Sequence, residues 1–497
     1  MNGFYLVLLA LCMFVAPVSA KKQPSPEKKL ERDLTAIMHE KMPRASRVGI
    51  YVYDLENNTV IFENEPNVMC QPASCQKLLT TITALDANGG SPFLTQFWIK
   101  GKVVWDEHKN SILQGDLYVV GGFDPTFTVE RMDTIIKSMR ISKITGKIYA
   151  DVSAKDSVSF GPGWWWDDAP YSFQPYVSPL LVEKDNVEVT VWPSTKGRAA
   201  NVSLKPQSNY FAIENNSVTV HKDSASTVKV QRRWMQNENT IVVEGDVNTL
   251  THKSLSVYAS QDMFMNIFLE RLRARGVEYG GGYEYAELSL DTVSDGSLFP
   301  VTGNPYCLKS PVADFFIGYE TPFDSVMVPM LKNSDNLYAE CVLMNTAATV
   351  LKKKHLSWSE AVVPEKDLAQ RLNFESGTYS IKDGSGLSNV DYISPKQMVC
   401  LLQYAYNKPK IFDRLYSALP VNGVDGTLKN RITGLDYVGR VHAKTGSLSV
   451  ASTLAGYVRM RNGRMAAFCI MNQNYSGASS ARNLQDALLS YIIDNVK

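Results

Sequence analysis

The sequence has almost no net charge and few of the residues that bind metals or form disulfides. Its 51 basic and 50 acidic side chains leave a net charge of +1, so electrostatics gives no reason to expect a nucleic acid partner. The seven cysteines include no C-x-x-C pair, and the six histidines show no metal-ligand spacing. We therefore expect no metal, no cofactor and no disulfide framework.

The N-terminus carries an apolar run at residues 4–15. It is too short to cross a bilayer comfortably, and Val18-Ser19-Ala20 after it is typical of a cleavage site. We predict a signal peptide at 1–20, a mature chain starting at Lys21, and an exported protein that is periplasmic or extracytoplasmic and soluble. An uncleaved anchor is the alternative, because no Lys or Arg precedes the run. Lipidation at Cys12 is disfavoured because the preceding Leu11 is too large.

Apolar periodicity predicts a mixed α/β unit at both ends of the chain. First come an amphipathic helix within 21–46, a hairpin at 48–62 and a helix from Ser74 to Asn88. Residues 97–305 contain short β-rich segments with one clear helix, about 261–275. Helices are then predicted at 335–352, 358–373 and 395–406. Strands are predicted at 438–444, 452–460 and 464–472, and a last amphipathic helix follows them. This pattern indicates one α/β catalytic domain split by a β-rich insertion.

Three short motifs carry candidate chemistry, and the first is Ser74-Cys75-Gln76-Lys77. Ser74 stands at a predicted helix start and Lys77 one turn later, so both side chains can meet on one face. A serine hydroxyl needs an adjacent base, and a lysine can serve when burial or a nearby cation lowers its pKa. The helix start also aims a backbone N–H where an oxyanion would form. Alone, such a sequence is usually surface helix.

The other two motifs are Ser334-Asp335-Asn336 and Lys444-Thr445-Gly446-Ser447. The first precedes a predicted helix, where these residues often form only an N-cap turn. The second ends a predicted strand. On an edge strand facing a cleft, Lys444 and Thr445 could hold a carboxylate, and Gly446 would let a substrate backbone approach closely. Each motif is a weak signal alone, but the ordered triple is found in serine β-lactamases and penicillin-binding proteins.

The spacing of the motifs narrows this resemblance. Ser74 and Ser334 are 260 residues apart, a gap too long for a compact β-lactamase. The chain resembles the low-molecular-weight class C penicillin-binding proteins, the D-alanyl-D-alanine carboxypeptidase/endopeptidase family of the penicillin-binding protein 4 type, which carry a large insertion there. The resemblance covers nearly the whole mature chain. Further matching segments are Gly121-Gly122-Phe123-Asp124-Pro125, Asp383-Gly384-Ser385-Gly386-Leu387-Ser388 and Asp425-Gly426-Thr427-Leu428.

The resemblance implies a catalytic role for each motif. Ser74 would attack the carbonyl between the last two D-alanines of a peptidoglycan stem peptide and form an acyl-enzyme. Lys77 would take its proton, and Asn336 would hold Lys77 and the substrate amide. Ser334 would relay a proton to the leaving amine. Lys444 and Thr445 would anchor the terminal carboxylate.

The resemblance also implies roles around the cleft. The backbone N–H groups of Ser74 and Ser447 would form the oxyanion hole. Asp168, in the segment 163–170, would meet the amino group of the substrate's third residue; the alternative is a Trp-rich domain contact. The loop 383–386 would lie near the cleft, unless it is only a tight turn. Cys75 departs from the family, whose members usually have a small hydroxyl residue there, and we expect its side chain to be used in packing.

The implied fold is α/β (α+β), a serine β-lactamase/DD-peptidase-like catalytic domain split by a large β-rich insertion. The implied partners are peptidoglycan stem peptides, their cross-links and β-lactams, with no nucleic acid; a homo-oligomer is left open, as is the balance between carboxypeptidase and endopeptidase activity. The predicted segments are a signal peptide at 1–20, catalytic parts at 21–96 and 308–497, one insertion domain in two parts at 97–177 and 251–307, and a second insertion domain at 178–250.

Other functions fit the sequence less well. A class A β-lactamase would use a Glu-x-x-Leu-Asn element to deacylate, and Ala369 stands where that Glu is needed before Leu372-Asn373. A non-catalytic peptidoglycan-binding module is disfavoured because no catalytic position in the three motifs is replaced. A Ser-His-Asp esterase would need a G-x-S-x-G elbow, which Gly384-Ser385-Gly386 does not provide.

Overall fold

The computed structural model describes residues 25–290, 309–475 and 478–496. The predicted signal peptide, the start at Lys21, Cys12 and Cys307 lie outside these ranges. The described helices are α1 (Pro26–Lys41), α2 (Gln76–Asn88), α3 (Val129–Met139), α4 (Ser260–Ala274), α5 (Phe323–Asn333), α6 (Asn336–Leu351), α7 (Trp358–Ala361), α8 (Val363–Arg371), α9 (Pro395–Tyr406), α10 (Pro409–Ala418) and α11 (Ala478–Asn495).

The described strands fall into four sheets. They are β1 (Arg47–Asp54), β2 (Thr59–Asn64), β3 (Phe93–Trp105), β4 (Ser111–Val120), β5 (Lys143–Ile144), β6 (Ile148–Asp151), β7 (Asn186–Trp192), β8 (Asn201–Lys205), β9 (Ala212–Thr219), β10 (Lys229–Arg232), β11 (Thr240–Val247), β12 (Thr251–Ser256), β13 (Glu278–Tyr279), β14 (Glu284–Tyr285), β15 (Asp314–Thr321), β16 (Val441–Leu448), β17 (Ala451–Arg459) and β18 (Met465–Gln473).

An antiparallel sheet in the order β16-β17-β18-β1-β2 joins the two ends of the chain. Side chains alternate across it, because successive residues of a strand point to opposite faces. In β1, Ile50 and Val52 pack towards α1 and α11, whereas Tyr51 packs with residues of α2, α6 and α9. Both faces are therefore buried, and β16 forms one edge.

The region between these halves is rich in strands. A sheet with the path β13-β5-β4-β3-β15 carries β6 and β14 beside β4, and two three-stranded sheets have the orders β10-β11-β9 and β12-β7-β8. Residues of these sheets share one apolar core with α3 and α4. The predicted domain boundaries stay a prediction; β15, which pairs with β3, lies after the predicted boundary at 307/308.

Most predicted elements are confirmed, including α1, α2, the β1–β2 hairpin, α6, α9 and α11. The prediction of one clear helix in the insertion was wrong, because α3 is a second. Its stripe of Met132, Ile135, Ile136 and Met139 has regular helical spacing and is buried. The predicted helix 358–373 is also two helices, since α8 starts anew at 363 with a proline in its first turn.

Two further helices, α5 and α10, had no predicted counterpart. Pro329 inside α5 is a residue that normally argues against a helix interior. Within the described ranges, no helix combines the length and apolar character that a membrane span requires.

Candidate active site

Ser74 and Lys77 meet at the start of α2. Ser74 lies in the short 3-10 turn Ala73–Cys75 that runs directly into this helix. Lys77 Nζ donates to Ser74 Oγ at 2.9 Å, as the predicted one-turn spacing requires. The same Nζ donates to Asn336 Oδ1 at 2.7 Å and to the carbonyl oxygen of Ser385 at 2.8 Å. These three acceptors match the three donors of an ammonium group and fix the head of Lys77 beside the serine.

Burial makes Lys77 a candidate general base. Its side chain is completely enclosed, and this desolvation lowers its pKa from 10.5 to about 8, although the carboxylates of Glu340, Asp383 and Asp335 act in the opposite direction. A lysine with this pKa is neutral in an appreciable fraction of molecules near neutral pH. The neutral amine has a lone pair that can accept the proton of Ser74.

The Ser334 motif lies at the corner between α5 and α6. Ser334 ends α5 with a left-handed backbone at φ +62°, and the Asp335 carboxylate caps α6 by accepting from the Tyr338 N–H. This corner turns Asn336 towards Lys77 and Ser334 towards the edge strand. The predicted N-cap and the predicted active-site role therefore occupy the same turn, on adjacent side chains.

Lys444 reaches the site from β16, the edge strand predicted for it. Its Nζ donates to Ser334 Oγ at 2.8 Å and to the carbonyl oxygen of Thr445 at 2.7 Å. Burial, and then the charge of Lys77, hold the pKa of Lys444 well below its usual range. The strand extends to Leu448, so the motif lies within β16 and not at its end as predicted. Thr445 Oγ1 donates to Thr427 Oγ1 at 2.8 Å.

The open edge of β16 presents backbone donors. The Ala443 N–H faces away from β17 and donates to the carbonyl of Pro420. Alternate residues of a regular strand repeat this orientation, and the pairing of β16 with β17 has no bulge. The N–H groups of Thr445 and Ser447 therefore point to the same open side. Ser447 is exposed there, where a substrate strand or oxyanion can reach it.

Two glycines allow tight packing around the residue before the nucleophile. A Cβ on Gly446 would lie 2.7 Å from the Pro72 carbonyl oxygen, so an internal contact already requires glycine, independently of the predicted approach of substrate. A Cβ on Gly386 would lie 1.8 Å from the Ala73 carbonyl oxygen, and Gly386 has a φ of +75°. Ala73 itself has a φ of +47°. The strained backbone of Ala73 is therefore held between the strand that carries Gly446 and the loop that carries Gly386.

Glu340 helps to position the residues around Lys77, and the sequence reasoning missed it. It lies on α6 and accepts from the N–H groups of Gly384 and Ser385, both at 2.9 Å. Ser385 in turn accepts from Lys77, so Glu340 fixes the loop that fixes the base. Burial, and then Asp383, raise the pKa of Glu340 to about 8. Its position four residues after Asn336, on the same helical face, was the available signal.

The predicted loop at 383–386 lies beside Lys77. Asp383 accepts from the N–H groups of Gly386 and Ser388, each at 2.7 Å, and from Trp164 Nε1 at 2.7 Å. The loop therefore forms one wall of the site and connects it to the insertion through Trp164. No group of three or more His, Cys, Asp or Glu in the described ranges is arranged to hold a metal ion.

The insertion also reaches the catalytic residues from a second point. The Phe173 carbonyl accepts from Asn336 Nδ2 at 2.7 Å. Asp168 lies in the 3-10 turn Trp166–Asp168 of the same segment. Burial, followed by Asp167, raises the pKa of Asp168. In the described part of the chain, its carboxylate has no hydrogen bond to any residue of the predicted catalytic set, which is Ser74, Lys77, Ser334, Asn336 and Lys444. The predicted role of Asp168 therefore stays a prediction.

Cys75 is used in packing, as predicted. Its side chain is fully buried, and its Sγ lies 3.1 Å from the carbonyl oxygen of Lys444 and 3.2 Å from Thr453 Oγ1. Burial raises the pKa of the thiol, which keeps it protonated and unreactive. The sulfur therefore joins the start of α2 to β16 and β17.

The site thus combines a serine beside an enclosed lysine with a second lysine–serine pair, within a mixed α/β fold. Comparison with known proteins identifies the family. The model of the D-Ala-D-Ala carboxypeptidase 3 (S13) family matches residues 30–293 and 319–493. The chain belongs to this family.

Two curated relatives match most of the chain. A D-alanyl-D-alanine carboxypeptidase of Actinomadura sp. (strain R39) is 27% identical over 92% of this chain and 83% of its own length. The D-alanyl-D-alanine carboxypeptidase DacB of Haemophilus influenzae is 26% identical over 88% and 87%. The crystal structure of penicillin binding protein 4 from Haemophilus influenzae superposes with a TM-score of 0.77 at 22% identity, covering 93% of this chain and 99% of that one, which confirms the fold.

Proposed function

We propose that this protein is a serine DD-peptidase that cleaves the D-alanyl-D-alanine ends, and the D-alanyl cross-links, of peptidoglycan stem peptides. One observation carries the mechanism: the enclosed Lys77 amine lies 2.9 Å from Ser74 Oγ. A serine hydroxyl gains nucleophilicity from a neutral base at this distance. Membership of the D-Ala-D-Ala carboxypeptidase family supports the substrate class.

Acylation begins when neutral Lys77 takes the proton of Ser74. Ser74 Oγ attacks the carbonyl carbon of the penultimate D-alanine, and its oxygen takes the negative charge beside the N–H groups of Ser74 and Ser447. The C–N bond then breaks. Ser334 gives its proton to the leaving amine and regains one from Lys444, which recovers it from the protonated Lys77. Lys77 is then neutral again, and an acyl-enzyme and free D-alanine remain.

Deacylation uses the same groups in reverse. Water enters the space left by the departing amine, Lys77 takes one of its protons, and the resulting hydroxide attacks the ester. Ser74 leaves as the alcohol after recovering a proton from Lys77. In a cross-linked substrate, the leaving amine belongs to the neighbouring stem peptide, and the same steps give endopeptidase activity.

The carboxylate of the terminal D-alanine is proposed to bind at the edge of β16. The hydroxyls of Thr445 and Thr427 lie 2.8 Å apart and can turn towards a carboxylate, and Lys444 lies behind them, where a bound carboxylate would favour its charged form. Gly446 leaves the strand free of a bulky side chain at this point. Asp168, on the insertion segment that reaches Asn336, is proposed to receive the amino group of the third residue of the stem peptide.

The protein is further proposed to be exported through the 1–20 segment, to act in the periplasm or an equivalent compartment, and to be acylated by β-lactams. A β-lactam presents a strained amide and a carboxylate in the positions of the D-alanyl-D-alanine bond and its terminus. We also propose that 21–96 and 308–497 form the catalytic domain around the insertion.

Digestion of a stem pentapeptide and of a cross-linked muropeptide dimer tests this function. The wild-type protein should release D-alanine from the pentapeptide and monomers from the dimer, and Ser74→Ala protein should release neither. If folded wild-type protein cleaved neither substrate, the peptidase function would be rejected in favour of a binding module. If it cleaved penicillin rapidly and neither peptide, a β-lactamase would be indicated.

A further inference from the structure

A pocket of about 490 Å³ lies between the insertion segment 160–176 and the turn Trp234–Gln236. Its walls include Trp164, Trp165, Trp166, Tyr176 and Trp234. Trp165 is 46% exposed and Trp166 is 70% exposed, although large aromatic side chains are normally covered. The Trp166 and Trp234 rings lie 5.0 Å apart and are tilted by 40°. The pocket therefore offers flat aromatic faces to a ligand.

Gln174 is a wall residue of this pocket and carries an unused hydrogen-bond acceptor. Its side chain is 1% exposed, and its Nε2 donates to the Trp165 carbonyl at 2.9 Å. That bond fixes the orientation of the amide, because the reverse orientation would set two oxygens against each other. Gln174 Oε1 is buried and has no partner in the described part of the chain. Such an atom requires a donor, and a ligand N–H or O–H in the pocket would supply one.

The lining also excludes several ligand classes. No Asp, Glu, Lys, Arg or His side chain belongs to it. Phosphate groups and charged peptides would therefore be desolvated without a partner, which is unfavourable. A neutral ligand that combines a flat apolar face with N–H or O–H donors fits best. The pyranose rings of N-acetylated sugars have both features.

The pocket and the catalytic residues share one chain segment. At its start, Gly163 accepts from the Asn389 N–H, and Trp164 Nε1 donates to Asp383 beside the lysine base. Near its end, Phe173 accepts from Asn336. The segment that forms the aromatic walls is therefore anchored at both ends to residues around Lys77.

We propose that this pocket binds an N-acetylhexosamine of the glycan strand to which the stem peptide is attached. The inference rests on the proposed function, because it takes peptidoglycan as the substrate. The sugar ring stacks on Trp166 and Trp234, and its acetamido N–H or a hydroxyl donates to Gln174 Oε1. The protein would then prefer glycan-bound stem peptides to free peptides of the same sequence.

The test compares one stem peptide with and without its N-acetylated disaccharide. Wild-type protein should show a lower KM for the glycosylated peptide. Trp166→Ala should raise that KM about tenfold, the usual scale for an aromatic contact, and leave the bare peptide and penicillin acylation unchanged. The matched control is Trp105→Ala on β3, which removes another tryptophan that is 67% exposed and should change none of these values.

Direct binding provides an arm that does not need turnover. N,N′-diacetylchitobiose should bind Ser74→Ala protein and alter its tryptophan fluorescence, and cellobiose should bind more weakly. In the double variant Ser74→Ala, Trp166→Ala, diacetylchitobiose should cause no fluorescence change. Loss of the wild-type preference for the glycosylated peptide, equal effects of Trp166→Ala on both peptides, or no binding of diacetylchitobiose would each overturn the proposal. Failure of the peptidase function would be distinct, because wild-type protein would then cleave neither peptide.

Discussion

The pH dependence of acylation is the most informative consequence of a buried lysine base. With a pKa of about 8, about one Lys77 side chain in ten is neutral at pH 7, against about one in 3,000 for an ordinary lysine at 10.5. Only the neutral form accepts the proton of Ser74. The acylation rate at low β-lactam concentration should therefore rise roughly fivefold between pH 7 and pH 8 and level off above pH 9.

Stopped-flow measurement with a fluorescent penicillin between about pH 6 and pH 10 gives this profile. Two variants assign its midpoint to Lys77. Glu340→Gln removes a carboxyl group whose own pKa is about 8 and whose ionised form stabilises the ammonium form of Lys77, so the midpoint should move to lower pH. Glu365→Gln is the matched control, because this carboxyl is equally buried but is held by Thr80 and Gln76. The midpoint of the acylation profile should stay in place in this variant.

Circular dichroism must show that both variants remain folded. A rate that does not change between about pH 6 and pH 9, or that keeps rising to the ordinary lysine range, would refute the claim that enclosure makes Lys77 the base. A midpoint that moves equally in both variants would show that the charge of Glu340 has no specific effect.

Three further predictions concern packing and substrate binding. Gly386→Ala should reduce acylation at least tenfold, because the new Cβ would meet the Ala73 carbonyl. Gly377→Ala should not, because Gly377 has a similar positive φ but open space around it, and equal losses in the two variants would reject a steric cause. Cys75→Ser should keep most peptidase activity, and its loss in folded protein would contradict a packing role. Asp168→Asn should weaken muropeptide cleavage but not penicillin labelling, and equal effects on both would reject its role.

Local sequence was sufficient to predict the catalytic helix and its spacing. The S-x-x-K motif, several apolar residues after it and the C-cap Gly89 specify α2, and one helical turn sets Lys77 against Ser74 whatever surrounds them. The order of the three motifs then indicated the family. The hairpin predicted at 48–62 also located β1, a strand with both faces buried.

The contacts that tune these residues could not be predicted, because they join distant parts of the chain. Asn336 meets Phe173 across 163 positions, and Lys77 meets Ser385 across 308. Whether Glu340 is buried or exposed depends on the loop that covers it, and no local pattern specifies that loop. The pKa of Lys77 follows from this enclosure, so it needed the three-dimensional arrangement.

Covalent attachment of penicillin to Ser74 tests the central claim most directly. Intact-mass spectrometry of protein incubated with a penicillin should show one adduct, and peptide mapping should place it on Ser74. The adduct should persist, because the leaving amine stays tethered and obstructs the attacking water. Ser74→Ala protein should show none. An adduct on another residue, or no adduct on folded wild-type protein, would contradict the assignment of Ser74 as the nucleophile.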